Sequence, residues 1–225
     1  MSLFVTGTDT GCGKTFVSAA LLGRLGRAGV RALGMKPVAT GAHRGPEGLV
    51  NEDVETLRLA SNVSAPSTMR NPYLFEPPCS PHIAAAHAGV AIDIAAIVEA
   101  YRECVHRADV VIVEGVGGWL VPLSERLTVA DLARALDLPT LLIVGIRLGC
   151  INHALLTASA MAESGVPFLG WLANVMDDEL YAVDDVIGSL ERRIPAPLLG
   201  VIDTRDQQAL DGLAHELASR AHRSG

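Results

Sequence analysis

Short apolar runs rich in β-branched residues alternate along this chain with longer amphipathic stretches. The runs at residues 3–6, 32–38, 110–114, 141–146, 170–175 and 198–202 have the length of strands. Helices are expected between them. One should run from Gly13 to about residue 27, and another should start at Asn51, a good N-cap followed by Glu52 and Asp53 at the positive helix end. Ser80-Pro81 is a further start signal with Gly89 as its stop, and helices also fit residues 92–106, 128–137, 152–164 and 207–220. Strands alternating with helices predict a doubly wound α/β fold, a mainly parallel sheet flanked by helices on both faces. Neither repeats nor linkers interrupt it, so residues 1–225 read as a single domain.

Composition narrows the class. Hydrophobic residues make up 49% and charged ones 19%, which excludes disorder and a coiled coil. The mean hydropathy of +0.33 is high, yet every apolar run is far shorter than the roughly 20 residues of a spanning helix, so no membrane partner is expected. The first residues enter an apolar strand at Leu3 without the basic segment of a secretory signal, and a cytoplasmic location is the expectation. Cys12, Cys79, Cys104 and Cys150 are scattered, with neither C-x-x-C nor zinc-finger spacing, and read as reduced thiols. A formal charge of −7 argues against a nucleic-acid partner, because phosphate-backbone binding needs clustered Lys and Arg.

The most specific chemistry lies at Phe4-Val5-Thr6-Gly7-Thr8-Asp9-Thr10-Gly11-Cys12-Gly13-Lys14-Thr15, a strand entering a glycine-rich turn and then a helix. A P-loop needs that setting: backbone N–H groups and the helix N-terminus face phosphates, Lys14 adds a point charge, and the Thr15 hydroxyl can reach Mg²⁺. In the usual pattern the first glycine stands six positions before the lysine, where this chain has Thr8. Gly7 comes one residue earlier, so the loop is one residue longer.

In open α/β sheets ligands bind beyond the C-terminal strand ends, which selects further candidates. Glu114 closes the run Val110-Val111-Ile112-Val113 and precedes Gly115-Val116-Gly117-Gly118, as a Walker B-like carboxylate would; a solvated strand-end glutamate is the plainer alternative. Lys36, followed by Pro37, is either a strand-edge lysine or a site residue. Asp53, by spacing alone, is a helix-dipole partner. Residues 145–153 again pass from strand to helix beside Arg147, giving either a second anion site suited to a substrate carboxylate or an ordinary connection. His82, His87 and His153 read as cap or surface histidines.

With these residues assembled, the chain resembles the dethiobiotin synthetase family over nearly its whole length. The matching segments are Val5-Thr6-Gly7-Thr8-Asp9-Thr10, Gly13-Lys14-Thr15, Lys36-Pro37-Val38-Ala39, Ser80-Pro81-His82-Ile83, Val113-Glu114-Gly115, Gly117-Gly118-Trp119, Leu148-Gly149-Cys150-Ile151-Asn152-His153 and Pro195-Ala196-Pro197-Leu198-Leu199-Gly200. The longer P-loop is usual in that family. The resemblance implies a homodimeric, ATP- and Mg²⁺-dependent cyclo-ligase of biotin biosynthesis, joining CO₂ to 7,8-diaminopelargonate and closing the ureido ring of dethiobiotin with release of ADP and phosphate.

The resemblance also implies roles. Lys14, Lys36 and Thr10 would act on the transferring phosphoryl group and carbamate, and Thr15, Asp53 and Glu114 would surround Mg²⁺. Gly11, Cys12, Gly13 and Phe16, together with Gly115, Val116 and Gly117, would line the nucleotide phosphates. Asn174 and Val175, with Asp203, Thr204 and Arg205, would lie at the base. Thr40 stands where the family commonly has Ser, and Leu148, Gly149, Cys150, Ile151 and Asn152 of the other subunit would hold the substrate carboxylate through backbone N–H groups. Asp203-Thr204-Arg205 departs from the apolar, Pro-containing segment expected there, which leaves nucleotide selectivity open.

Two rivals carry the same loop. A partition- or carrier-type P-loop ATPase usually places a signature lysine early in the loop, where this chain has Thr8, Asp9 and Thr10. An amidotransferase-linked ligase would need a glutamine-cleaving domain, for which 225 residues leave no room.

Overall fold

Alternation along the strands decides the layering. The computed structural model describes residues 2–46, 48–177, 179–203 and 205–223. In chain order its elements are β1 (Leu3–Gly7), α1 (Lys14–Arg27), β2 (Ala32–Met35), β3 (Val38–Ala39), β4 (His43–Gly45), β5 (Gly48–Val50), α2 (Glu52–Ala60), α3 (Ser67–Arg70), β6 (Tyr73–Leu74), α4 (Pro81–Ala88), α5 (Ile94–Val105), β7 (Val110–Glu114), α6 (Val129–Leu136), β8 (Thr140–Ile146), α7 (Cys150–Glu163), β9 (Phe168–Val175), α8 (Val183–Glu191), β10 (Leu198–Ile202) and α9 (Gln208–Arg223). The main sheet has the order β10-β9-β8-β1-β7-β2, and its pairings are all parallel.

Successive strand residues feed opposite cores, as a strand's two-residue period requires. Leu3, Val5, Val110, Ile112, Leu141 and Ile143 pack with Val17, Leu21, Leu22 and Leu25 of α1 and Leu213 and Leu217 of α9. Phe4, Val111, Val113, Leu142 and Val144 point the other way, against Ile97 of α5, Leu132 of α6, Ala154 of α7 and Leu190 of α8. Helices cover both faces, and the architecture is the doubly wound, parallel α/β type expected from the alternating pattern. No helix among the described residues is long and apolar enough to cross a membrane.

One expected strand is corrected. The run 32–38 breaks after Met35, the last β2 residue in register with β7. Pro37 has no N–H for a ladder, and the Lys36 N–H donates instead to Arg70 O at 2.8 Å. Val38–Ala39 then pairs with Tyr73–Leu74 as a separate small sheet. Two helix starts also move. The helix expected over 152–164 begins at Cys150, directly after Gly149 at φ 90°, and the one expected over 92–106 begins at Ile94, because Asp93 caps it by accepting from Ala95 N at 2.8 Å. The β4–β5 hairpin, α3 and α8 have no strong periodic signal and were not expected.

Candidate functional site

β1 delivers the chain into the phosphate loop at the C-terminal edge of the sheet. Close packing explains two of its glycines: a Cβ on Gly7 would stand 2.2 Å from Cys12 Sγ, and one on Gly13, itself at φ 100°, would stand 2.1 Å from Asn174 Nδ2. Any side chain there would push the loop away from the sheet. The Asn174 amide donates to Cys12 O at 3.0 Å and so props the loop from β9. Lys14 Nζ donates to the carbonyl of Asp9 at 2.8 Å, folded over the loop. Burial lowers its pKa, the positive Lys36 pulls the same way, and Cys12, Glu114 and Asp53 pull it back up.

Beside the loop, three strand and helix ends bring charge together. Lys36 Nζ, just past β2, donates to Glu114 Oε1 at 2.5 Å and to Gly115 O at 3.1 Å, and lies 3.2 Å from Asp53 Oδ2. Lys36 and Glu114 are 4% and 0% exposed, so this ion pair is internal. Burial lowers the pKa of the Lys36 amine; the carboxylates of Glu114 and Asp53 outweigh burial and raise it above 10.5. Burial likewise opposes the Asp53 charge, but Lys36 and the Thr15 hydroxyl more than compensate and hold its carboxyl below 3.8. Lys36 is therefore a buried, paired lysine although it follows the edge strand, and Asp53 is more than a dipole partner.

The Thr15 hydroxyl lies 2.8 Å from both Asp53 Oδ1 and Glu114 Oε1. It owns one proton, so it can donate to only one of these oxygens and leaves the other facing a lone pair. Glu114 Oε2 is buried with no hydrogen-bond partner among the described residues. Two carboxylates and a hydroxyl, short of protons between them, form a hard oxygen set that fits Mg²⁺, which takes one or two carboxylates and fills its remaining positions with water and phosphate oxygens.

A cavity of about 400 Å³ opens above these groups. Of the residues named from sequence, Thr10, Gly11, Gly13, Lys14, Thr15, Phe16, Lys36, Thr40, Asp53, Val116 and Gly117 line it. Cys12, Glu114 and Gly115 lie beneath it, buried. Asn174 and Val175 end β9 and Asp203 and Arg205 follow β10; none of these lines the cavity. Thr204 falls outside the described residues. Leu148, Gly149, Cys150, Ile151 and Asn152 line a different cavity, of about 630 Å³, shared with Leu155, Leu180, Tyr181 and Val186. Within one chain the two cavities have no lining residue in common. Arg147, which lines the second cavity, donates from Nη2 to Asp9 Oδ2 of the phosphate loop at 3.0 Å.

Sequence reasoning missed two asparagines. Asn51 was expected only as a cap; it accepts from Asp53 N and Val54 N, but it also donates to Thr40 O at 3.0 Å and lines the phosphate cavity. Asn71 donates to Lys36 O at 2.6 Å. The lysine content was an unused signal, for Lys14 and Lys36 are the only lysines in the chain.

A family model described as an AAA domain matches residues 1–209. Among solved structures, the septum site-determining protein MinD complexed with Mg-ADP from Pyrococcus horikoshii OT3 superposes with a TM-score of 0.58 at 16% identity, covering 100% of this chain and 99% of that one. The MinC:MinD cell division protein complex of Aquifex aeolicus gives 0.56 at 15% identity, covering 99% and 94%. The cell division protein FtsY of Thermotoga maritima gives 0.53 at 15% identity, covering 97% of this chain and 68% of that one. At such identities the likeness is one of fold.

Proposed function

Because this chain belongs to the AAA domain family, in which dethiobiotin synthetases are found, we propose that it is an ATP-dependent cyclo-ligase acting on 7,8-diaminopelargonate and CO₂. The observation that carries the reading is the second buried lysine. An ATPase that hydrolyses its nucleotide activates neutral water, so no second anion has to be held against the γ-phosphate. A ligase of this class must press a second anion, a carbamate, against the γ-phosphate, and the repulsion calls for an extra fixed cation between the two. Lys36 is such a cation, placed at the end of the neighbouring strand and kept charged by Glu114 and Asp53. The likeness to septum-site proteins does not bear on this choice, and Thr8, Asp9 and Thr10 supply no early loop lysine.

In this reading one substrate amine adds to CO₂ and loses a proton, giving the carbamate. A carbamate oxygen forms a bond to the γ-phosphorus as the bond to the β,γ-bridging oxygen breaks, and ADP departs with that electron pair. The second amine then attacks the carbamate carbon and gives up a proton, the C–O bond to phosphate breaks with its electron pair leaving on inorganic phosphate, and the ring closes. Lys14 and the loop N–H groups hold the phosphates, Lys36 stabilises charge shared between phosphoryl and carbamate oxygens, and Thr10 and Thr40 are hydroxyl donors at the rim. Thr15, Asp53 and Glu114 would hold Mg²⁺, which when bound neutralises phosphate charge. Leu148 is 91% exposed beside the helix start at Cys150, which suits a carboxylate site completed by a second copy of the chain.

The test is ADP release that requires both diaminopelargonate and bicarbonate, with dethiobiotin identified by mass. ADP release indifferent to the diamine would reject the reading.

A further inference from the structure

Lys36 sits where the main sheet lets go of the chain, and something must fix its backbone there. Met35, opposite Val113, is the last ladder residue of β2. Beyond it the Lys36 N–H donates to Arg70 O at 2.8 Å, and Pro37 O accepts from Tyr73 N at 3.1 Å. The remaining group, the Lys36 carbonyl, accepts from Asn71 Nδ2 at 2.6 Å, and the same amide donates to Tyr73 O at 3.1 Å. An amide nitrogen has two hydrogens, so both are used. Asn71 is 8% exposed, and its amide joins the end of β2 to β6.

We infer that Asn71 is a positioning residue for Lys36. By holding the Lys36 carbonyl it fixes the direction in which the side chain leaves the backbone, toward Glu114 Oε1, Gly115 O and Asp53 Oδ2. The inference rests on the proposed part of Lys36 in phosphoryl transfer. The β3–β6 pairing and the Tyr73 N to Pro37 O bond do not involve the Asn71 side chain. Losing that side chain therefore frees the Lys36 and Tyr73 carbonyls while leaving that pairing in place. A displacement of about 1 Å at a catalytic charge can cost on the order of a hundredfold in rate.

Asn71→Leu keeps the shape and removes both donors; Asn71→Ser is milder and retains one hydroxyl donor. Each is compared in the wild-type and Lys36→Met backgrounds. Asn71→Leu should lower kcat by at least about tenfold with the KM for ATP changed by less than about twofold, while in the Lys36→Met background it should change residual turnover by less than about twofold. The same loss in both backgrounds, or no loss in either, overturns the inference. Acetylation by an amine-reactive reagent, read by peptide mass, supplies a measure independent of the reaction, because Lys14 and Lys36 are the only lysines. Labelling at Lys36 should rise several-fold in Asn71→Leu while Lys14 stays unchanged; unchanged labelling at Lys36 overturns the inference. If Asn71→Leu fails to fold, the same comparisons on Asn71→Ser decide. Should wild-type protein form no dethiobiotin while Lys36 labelling rises in the variants, the ligase reading fails and the positioning role stands.

Discussion

Replacing Lys36 with methionine separates what its charge does for stability from what it does for turnover. The amine contacts Glu114 Oε1 at 2.5 Å and Gly115 O at 3.1 Å from a fully internal position. Glu114 has no exposure, and its second oxygen already has no hydrogen-bond partner among the described residues. Lys36→Met would leave a buried carboxylate uncompensated, a loss of about 3–5 kcal/mol. The Asp53 contact adds little to this, since that side chain is 46% exposed and water screens it. For a chain of this length about 1 kcal/mol moves Tm by roughly 2–4 °C, so a drop on the order of 6–20 °C is expected without nucleotide or Mg²⁺. Adding Glu114→Gln removes the stranded charge and should recover most of that drop. Turnover should stay at least about a hundredfold down in both variants, because the transition-state charge is missing in each. Differential scanning calorimetry and steady-state ADP release measure the two effects. The raised Lys36 pKa keeps its contribution complete below 10.5 and loses it only as pH climbs through the higher folded value, so the Tm gap should be constant across the neutral range. A single variant as stable as wild type, or a double variant no better than the single, would refute the account of the pair.

Lys14→Ala should also lower turnover by at least about a hundredfold, through loss of charge at the phosphates, with Tm little affected because among the described residues its amine bonds only a loop carbonyl and a thiol. Asp53→Asn should raise the Mg²⁺ concentration for half-maximal rate; an unchanged titration would return Asp53 to a dipole role. Because Asp53 is held below its usual pKa, its pairing with Lys36 is complete above 3.8 and fades as pH falls through the lower folded value, so an acid melting series should be flatter in Asp53→Asn than in wild type. If Leu148 to Asn152 act across a homodimer, Cys150→Asp and Lys36→Ala chains should each be nearly inactive alone, yet co-refolding equal amounts should restore about a quarter of wild-type sites. Only averaged mutant activity, with heterodimers proven by pull-down, would exclude the shared site.

The strands and the phosphate loop were legible because their signals are local. Val110 to Glu114 and Leu198 to Ile202 form strands over the residues expected; the first is a continuous apolar run buried throughout, as suits an inner parallel strand, and the second is a partly exposed strand at the sheet edge. Gly-Lys-Thr after a strand needs no distant partner to be read. The β4–β5 hairpin and α3 have no such periodicity.

The centre of the site was not legible from spacing, because Lys36, Asp53, Glu114 and Thr15 lie on four separate segments. The sequence by itself determined which residue types stand at strand ends. Only the tertiary structure decided that those ends meet: the parallel register setting Met35 opposite Val113 brings Lys36 beside Glu114, while Asn51 caps α2, from which Asp53 reaches Lys36 and Thr15. The break after Met35 followed the same rule. Pro37 is the local half of its cause; the other half is the hydrogen bond from Lys36 N–H to Arg70 O, and long-range pairings of that kind leave no periodic trace along the chain.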